Sequence, residues 1–413
     1  MTVRLAITRL GAQGDGVADT ERGPVFVPFT LPGETVNAAV ERDRATLMAV
    51  VDASPLRVEP PCRHFGACGG CAVQHLEDGA YRAWKRDKVL ESFRREHLDA
   101  DVAALVPCAP DSRRRVVFSA RRTDSGMLLG YHRAQSAEII AVSECRIALP
   151  EIVASLSNLR ELAGIVCQTT KSFHVSVTAT ATGLDVAFAD SGTLSESGRR
   201  LAANFAIRER IARLSIDGEI VVEPQKPIIH FGDVAVTPPP GGFIQAVKSA
   251  EEAMVDLVTA HLGKAKKVAD LFAGSGAFAL RLARRSEVHA VEGDAAALAA
   301  LDRGFRFATG LKRVTQEKRD LFRRPLTFKE LNLFDGVVFD PPRAGAEDQA
   351  RQLARSDVPL VAAVSCNPAT LVRDLRILAN GGYAVKSVTP IDQFLWSPHV
   401  EAVALLEKPR KRR

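Results

Sequence analysis

A chain of 413 residues is too long for one hydrophobic core, so two or three domains are expected. With 46% hydrophobic and 25% charged residues it is globular in composition, and no apolar run approaches the roughly 18 residues of a membrane span. A net charge of +6 inclines it toward an anionic partner, and seven cysteines without a secretory signal fit reduced thiols in the cytoplasm.

Residues 1–54 read as all-β, with strands expected over 5–9, 24–29, 35–42 and 45–51 and turns at 11–16 and 32–33. That spacing fits a five-stranded barrel of the oligonucleotide-binding kind. Pro55, Pro60 and Pro61 mark a linker into a cysteine cluster with the spacing Cys62-x5-Cys68-x2-Cys71. Three thiolates on a short glycine-rich loop can converge on one centre, and Cys145 is the candidate fourth ligand. Thiolate ligation suits zinc or an iron–sulfur cluster, and the spacing is unlike paired zinc-ribbon knuckles, which favours the cluster. Cys108 and Cys167 lack such company and read as structural.

A basic amphipathic helix is expected over 81–96, one that could pack on the C-terminal domain. From 113 to about 236 the pattern is strand-rich, with hairpins at 116–121/127–132 and 173–180/184–189 around a helix at 149–163. Arg113, Arg114, Arg115, Arg121 and Arg122 are candidates for phosphate contact, and Phe65 is a candidate for base stacking. The basic run 408–413 reads as solvated. The organisation expected is therefore 1–54, 55–236 and 237–413.

Beyond the breakpoint at 238–242, helix and strand signals alternate: helix 244–262, strand 267–271, helix 277–285, strand 287–291, helix 294–308. Strands 334–339 and 360–364, a helix at 368–379 and two closing strands complete a doubly wound parallel sheet. Asp270 precedes a Gly-x-Gly turn at Gly274 and Gly276 that opens a helix, and Glu292 ends the next strand where an acid meets ribose hydroxyls. With no third glycine and no Walker lysine, the loop suits S-adenosylmethionine (SAM), with Asp320 and Asp340 as further acids.

Val-Phe-Asp340-Pro-Pro-Arg and Val-Ser-Cys366-Asn-Pro each close an apolar strand. Asp340 and Cys366 should therefore face one crevice at the carboxyl ends of the sheet, with Cys366 placed as a nucleophile. A thiolate adding to C6 of uracil would make C5 able to accept a methyl group. Glu401, at the head of the last strand, is the candidate base for the C5 proton.

Cys-x5-Cys-Gly-Gly-Cys, Asp-Pro-Pro-Arg, Ser-Cys-Asn-Pro and the terminal His-Val-Glu resemble the RNA uracil-5-methyltransferases over nearly the whole chain. The likeness is to the bacterial 23S ribosomal RNA branch, with an N-terminal TRAM domain and a [4Fe-4S] cluster. The resemblance implies a Rossmann-like class I SAM-dependent methyltransferase domain behind an OB-like TRAM barrel and a β-rich central iron–sulfur domain. It implies Cys366 as nucleophile and Glu401 as base, and a SAM and uracil pocket lined by Gln245, Phe272, Glu292, Asp320 and Asp340. It further implies that Cys62, Cys68, Cys71 and Cys145 hold the cluster, with a loop or single-stranded uridine as substrate and a monomeric enzyme.

Three positions depart from that pattern. Val247 stands where Asn is usual after Gln245, Ala277 ends the glycine loop where a polar residue is usual, and Leu395-Trp-Ser-Pro398 replaces Phe-Pro-His-Thr. The competing readings are a transfer RNA uracil-5-methyltransferase and a non-catalytic iron–sulfur RNA-binding or assembly factor. An amino-methyltransferase is disfavoured because Arg343 stands where its motif needs an aromatic ring.

Overall fold

The computed structural model describes residues 2–409. Three sheets of six, seven and seven strands carry the chain, with one two-stranded ribbon at Ile229–Phe231 and Val234–Val236. The first sheet holds three of the four expected strands, as Gly23–Val27, Thr35–Glu41 and Arg44–Asp52; the one expected over 5–9 is divided between Thr2–Ala6 and Arg9–Leu10, and Gly16–Thr20 is added. Gly16–Thr20 was hidden because Gly-Val-Ala-Asp-Thr reads as turn, yet it pairs antiparallel along all of Gly23–Val27.

The second sheet contains both expected hairpins, Arg115–Thr123 with Gly126–His132 and Phe173–Thr180 with Gly183–Ala189. The helix expected over 149–163 is two, Pro150–Ala154 and Leu156–Val166, broken at Ser155. Helix α1, Asp78–Arg95, begins earlier than expected because Glu77 caps it, accepting from the backbone of Gly79 and Ala80. It packs on the C-terminal sheet, where Val89 and Phe93 are fully buried.

In the third sheet the strands are β1 (Lys267–Leu271), β2 (Glu287–Glu292), β3 (Val314–Lys318), β4 (Gly336–Phe339), β5 (Leu360–Ser365), β6 (Ala384–Ile391) and β7 (Glu401–Glu407), ordered β3-β2-β1-β4-β5-β7-β6. Strands β1 to β5 run parallel; β7 is antiparallel to β5 and β6. Alternation along each strand feeds two cores. Val268, Val338 and Val364 join one face with α2 (Lys248–Leu262), and Ala269, Val337 and Ala363 join the other. That second face is covered by α1, α5 (Glu347–Arg355) and α6 (Pro368–Asn380). The helix expected over 277–285 is only α3, Ala279–Leu282, while α4 runs Ala295–Phe307 from an Asp294 cap.

The second sheet is locked to the third through a buried ion pair onto α2. Arg114, just before the strand Arg115–Thr123, reaches Glu251 of α2 at 2.6 Å, and Arg281 holds the other Glu251 oxygen at 2.9 Å. The guanidinium of Arg114 also donates to the carbonyl of Gln245, so this clamp sets the segment entering α2.

Candidate active site

Strand polarity assembles the site. The parallel strands β1, β4 and β5 end side by side, with Leu271 opposite Phe339 and Phe339 opposite Ala363. Phe272, Asp340 and Cys366 therefore emerge at one edge. Because β7 runs the other way, Ser365 pairs with Ala402, and Glu401 enters the same edge next to Cys366. They line one cavity of about 550 Å³ together with Gln245, Ala277, Glu292 and Asp320. Cys366 itself sits between a strand and a helix start: Asn367 caps α6 by accepting from Ala369, and Pro368 occupies its first turn.

A chain of amides joins the two carboxylates. Gln245 Nε2 donates to Asp340 Oδ2 at 2.8 Å, and Gln393 Nε2 donates to Gln245 Oε1 at 2.8 Å and to Glu401 Oε2 at 2.6 Å. Gln393 Oε1 accepts from the backbone of Ala246 at 3.1 Å, which fixes the amide's orientation. Glu401 Oε1 is buried and has no partner among the described residues. Burial pushes the Glu401 carboxyl up, to about 8, reinforced by the charge of Asp340; burial likewise raises Asp340.

Cys366 is pushed up to about 11 by its own burial and then by the charges of Glu401 and Asp340, while Arg343 pulls in the opposite direction. At pH 7 Cys366 is thus held as a thiol. His399 lies 3.4 Å from Arg343, and burial with four neighbouring cations pushes its imidazole down to about 4, so it is neutral at pH 7.

The glycine loop and its acid are joined through the backbone. Glu292 Oε2 accepts from Gly274 at 3.0 Å and Oε1 accepts from Asp294 at 2.8 Å, leaving lone pairs free toward the cavity. Gly274, at φ 54°, has nothing within 4 Å of where a Cβ would sit, so its backbone lies open to a ligand. Gly276, at φ 99°, faces the other way, where a Cβ would meet Leu301 at 2.9 Å. Asp320 caps its own turn, accepting from Phe322 and Arg323, and still lines the cavity. Asp270 departs from the sequence reading: it is fully buried and is not among the lining residues.

Among the lining residues not foreseen, two make side-chain contacts with those that were. Gln393 bridges Gln245 and Glu401, and Phe322 pairs with Phe272 at 5.4 Å between ring centroids. For Phe322 a signal existed: Asp-Leu-Phe occurs at the end of β1, at 270–272, and again after β3, at 320–322.

Cys62, Cys68, Cys71 and Cys145 line a second, small cavity, and all are free thiols. Burial pushes Cys71 up to about 12, with the other three thiols adding to the rise. Among the described residues no three His, Cys, Asp or Glu side chains are arranged to hold a single metal ion. Phe65, expected as a stacking platform, is instead packed at 5.1 Å on Phe29 and at 5.3 Å on His75. The arginine candidates divide. Arg114 is buried in its clamp and Arg115 is half-buried with a bond to Gly241, whereas Arg121 and Arg122 are exposed. Of the basic run at 408–413, residues 410–413 lie outside the described residues; Lys408 donates to the carbonyls of Ala354 and Ser356.

Residues 193–409 match the family model described as tRNA (Uracil-5-)-methyltransferase, and residues 1–47 match the TRAM domain. The chain is 68% identical over 413 residues, all of both chains, to a protein of Mesorhizobium japonicum described as an uncharacterized RNA methyltransferase. It is 33% identical to the 23S rRNA (uracil(1939)-C(5))-methyltransferase RlmD of Halomonas elongata, covering 98% of this chain and 89% of that one. The tRNA (uracil-54, C5)-methyltransferase of Pyrococcus abyssi, solved with S-adenosyl-L-homocysteine, superposes with a TM-score of 0.76 at 23% identity, covering 98% and 99% of the two chains. That likeness is one of fold. Among the described residues no helix is long and apolar enough to cross a membrane.

Proposed function

The chain belongs to the tRNA (uracil-5-)-methyltransferase family, and on that premise we propose that it methylates C5 of a uridine in 23S ribosomal RNA with SAM as methyl donor. The observation that carries the reading is the meeting of Cys366 and Glu401 at one cavity, on neighbouring strand ends of opposite polarity. The glycine loop at Gly274, Glu292, Asp320 and the aromatic pair Phe272–Phe322 are the groups that would hold SAM, and Gly274 fits by leaving its backbone open.

The target base must leave its stack to present both faces. Cys366 gives up its proton to solvent as its sulfur bonds to C6, and the C5=C6 electrons shift toward C4=O, leaving C5 electron-rich. Bound SAM supplies an electrophilic methyl group for that carbon. Glu401 takes the C5 proton on its free Oε1; the C–H pair re-forms C5=C6 and expels the Cys366 sulfur. Burial suits Glu401 to this task, because a carboxylate that prefers its proton is a stronger base than one in water.

The 23S assignment is supported by the family branch that RlmD represents, over almost the full length of the chain. It is tested by mass-spectrometric mapping of 5-methyluridine in a strain lacking the gene, complemented with the parent or Cys366→Ala. One 23S site should vanish and return only with the parent. Loss at a transfer RNA position would move the substrate, and persistence of every 5-methyluridine would leave the binding-only role.

The four cysteines would hold a [4Fe-4S] cluster, whose thiolates surround a space rather than a point, as their shared cavity does. Its role would be to order the catalytic loop, since Ala72 and Val73, just after Cys71, both donate to the carbonyl of Trp396. Anaerobically purified protein should carry iron and acid-labile sulfide, and Cys68→Ser should lose both along with RNA binding while keeping S-adenosylhomocysteine affinity. Iron content unchanged in that variant would remove Cys68 from the ligand set.

A further inference from the structure

A second groove of about 420 Å³ meets the catalytic cavity at Cys366 and Arg343. Its walls are α1, through Trp84 and Lys88, the start of α6, and the barrel loop at Ala12 and Gln13. Its charge is unbalanced. Lys88 has no carboxylate partner among the described residues; its ammonium donates to the Ala12 carbonyl and lies 4.9 Å over the Trp84 ring. Among the described residues the guanidinium of Arg343 likewise meets only the neutral ring of His399. The groove's own acids are otherwise engaged, Glu91 with Arg95 at 3.0 Å, or turned to solvent beside Arg86, as Asp87 is. Behind Lys88, Lys85 is already neutralised by Asp392 at 2.7 Å.

We propose that this groove seats a backbone phosphate of the RNA strand next to the target nucleotide, with Lys88 as the cation that holds it. A base over Cys366 carries its flanking phosphates one nucleotide's reach away, and the groove leaves the site on the side where the barrel and α1 meet. Lys88 sits among Lys85 and Arg343 with its charged form disfavoured by burial and by those cations, so it is pushed down to about 8. An arriving phosphate would relieve that repulsion. The neighbouring Trp84 face would offer a surface for an adjacent base. The inference rests on the reading of the chain as an RNA methyltransferase, and its test reads binding, not turnover.

Binding of a U-rich single-stranded RNA of about twelve nucleotides is measured across a salt series for the parent, Lys88→Gln and Lys88→Arg. Lys88→Gln should bind about tenfold more weakly at low salt, with the log–log salt slope smaller by about 0.7, one single-strand phosphate contact. Lys88→Arg should restore the slope, and S-adenosylhomocysteine affinity should be the same in all three, reporting an intact fold. A slope in Lys88→Gln equal to that of the parent overturns the proposal, as does failure of the parent to bind the RNA. If the parent binds with a Lys88-dependent slope but no 5-methyluridine maps to it, the methylation reading fails and the phosphate seat stands.

Discussion

Glu401→Gln is expected to stop the reaction with RNA still attached to the protein. In the proposed sequence sulfur joins C6 before the C5 proton leaves, so removing only the base leaves the adduct without a route to elimination. The glutamine keeps the carboxylate's size and can still accept from Gln393, so the site should remain assembled. Turnover should fall by about 10³- to 10⁴-fold, and a denaturation-resistant protein–RNA conjugate should accumulate in the presence of SAM. Cys366→Ala should lose at least as much activity and form no conjugate. Free methylated product from Glu401→Gln at the parent's rate, or a conjugate that forms without Cys366, would end this assignment.

The same variant separates titration from geometry. The parent's rate should climb with pH as Glu401 loses its proton, toward about 8, and Glu401→Gln should lack that limb. Stability should move the opposite way. A carboxyl whose folded value is raised stabilises the fold below its unfolded value, and that contribution is lost as pH rises through the folded value. Between about pH 4.5 and about 8 the parent should therefore lose stability relative to Glu401→Gln, by up to a few kcal/mol.

What the sequence disclosed follows from which residues had to be apolar. Strands β4 and β5 are buried along their length and read as continuous apolar runs, so the positions just after them, Asp340 and Cys366, were legible. Strand β3, Val-Thr-Gln-Glu-Lys, lies at the sheet edge with only Val314 buried, and its polar side chains left it a candidate before Asp320 without legible bounds. Helix α5 was missed for a similar reason, with Gln349, Ala350 and Leu353 as its few buried positions. Three adjacent arginines look like a surface patch, but Arg114, just before its strand, turns inward to Glu251 while its neighbours stay half-exposed. Gln393 carried no signal at all, because an uncharged amide in a loop gains its meaning only from the two partners that folding brings to it.

That amide should matter more than its anonymity in sequence implies. Gln393→Leu removes the donor that holds Glu401 Oε2, leaves Gln245 Oε1 without its bond and deprives the Ala246 N–H of its acceptor. The hydrogen bond from Gln393 is what opposes the rise of the Glu401 carboxyl, so its loss should move that carboxyl further up. At pH 7 turnover should drop by about 10²-fold, from a smaller ionised fraction and from a base free to swing. Raising the pH should recover part of the loss, with the ascending limb of the rate profile displaced upward by about one unit. Affinity for S-adenosylhomocysteine should change little, since Gln393 touches the carboxylate end of the cavity and Glu292 holds the other. A Gln393→Leu enzyme with the parent's pH profile would show that Glu401 is held by the strand alone. A displaced profile would identify the amide chain from Asp340 to Glu401 as the device that keeps two buried acids apart and one of them ready.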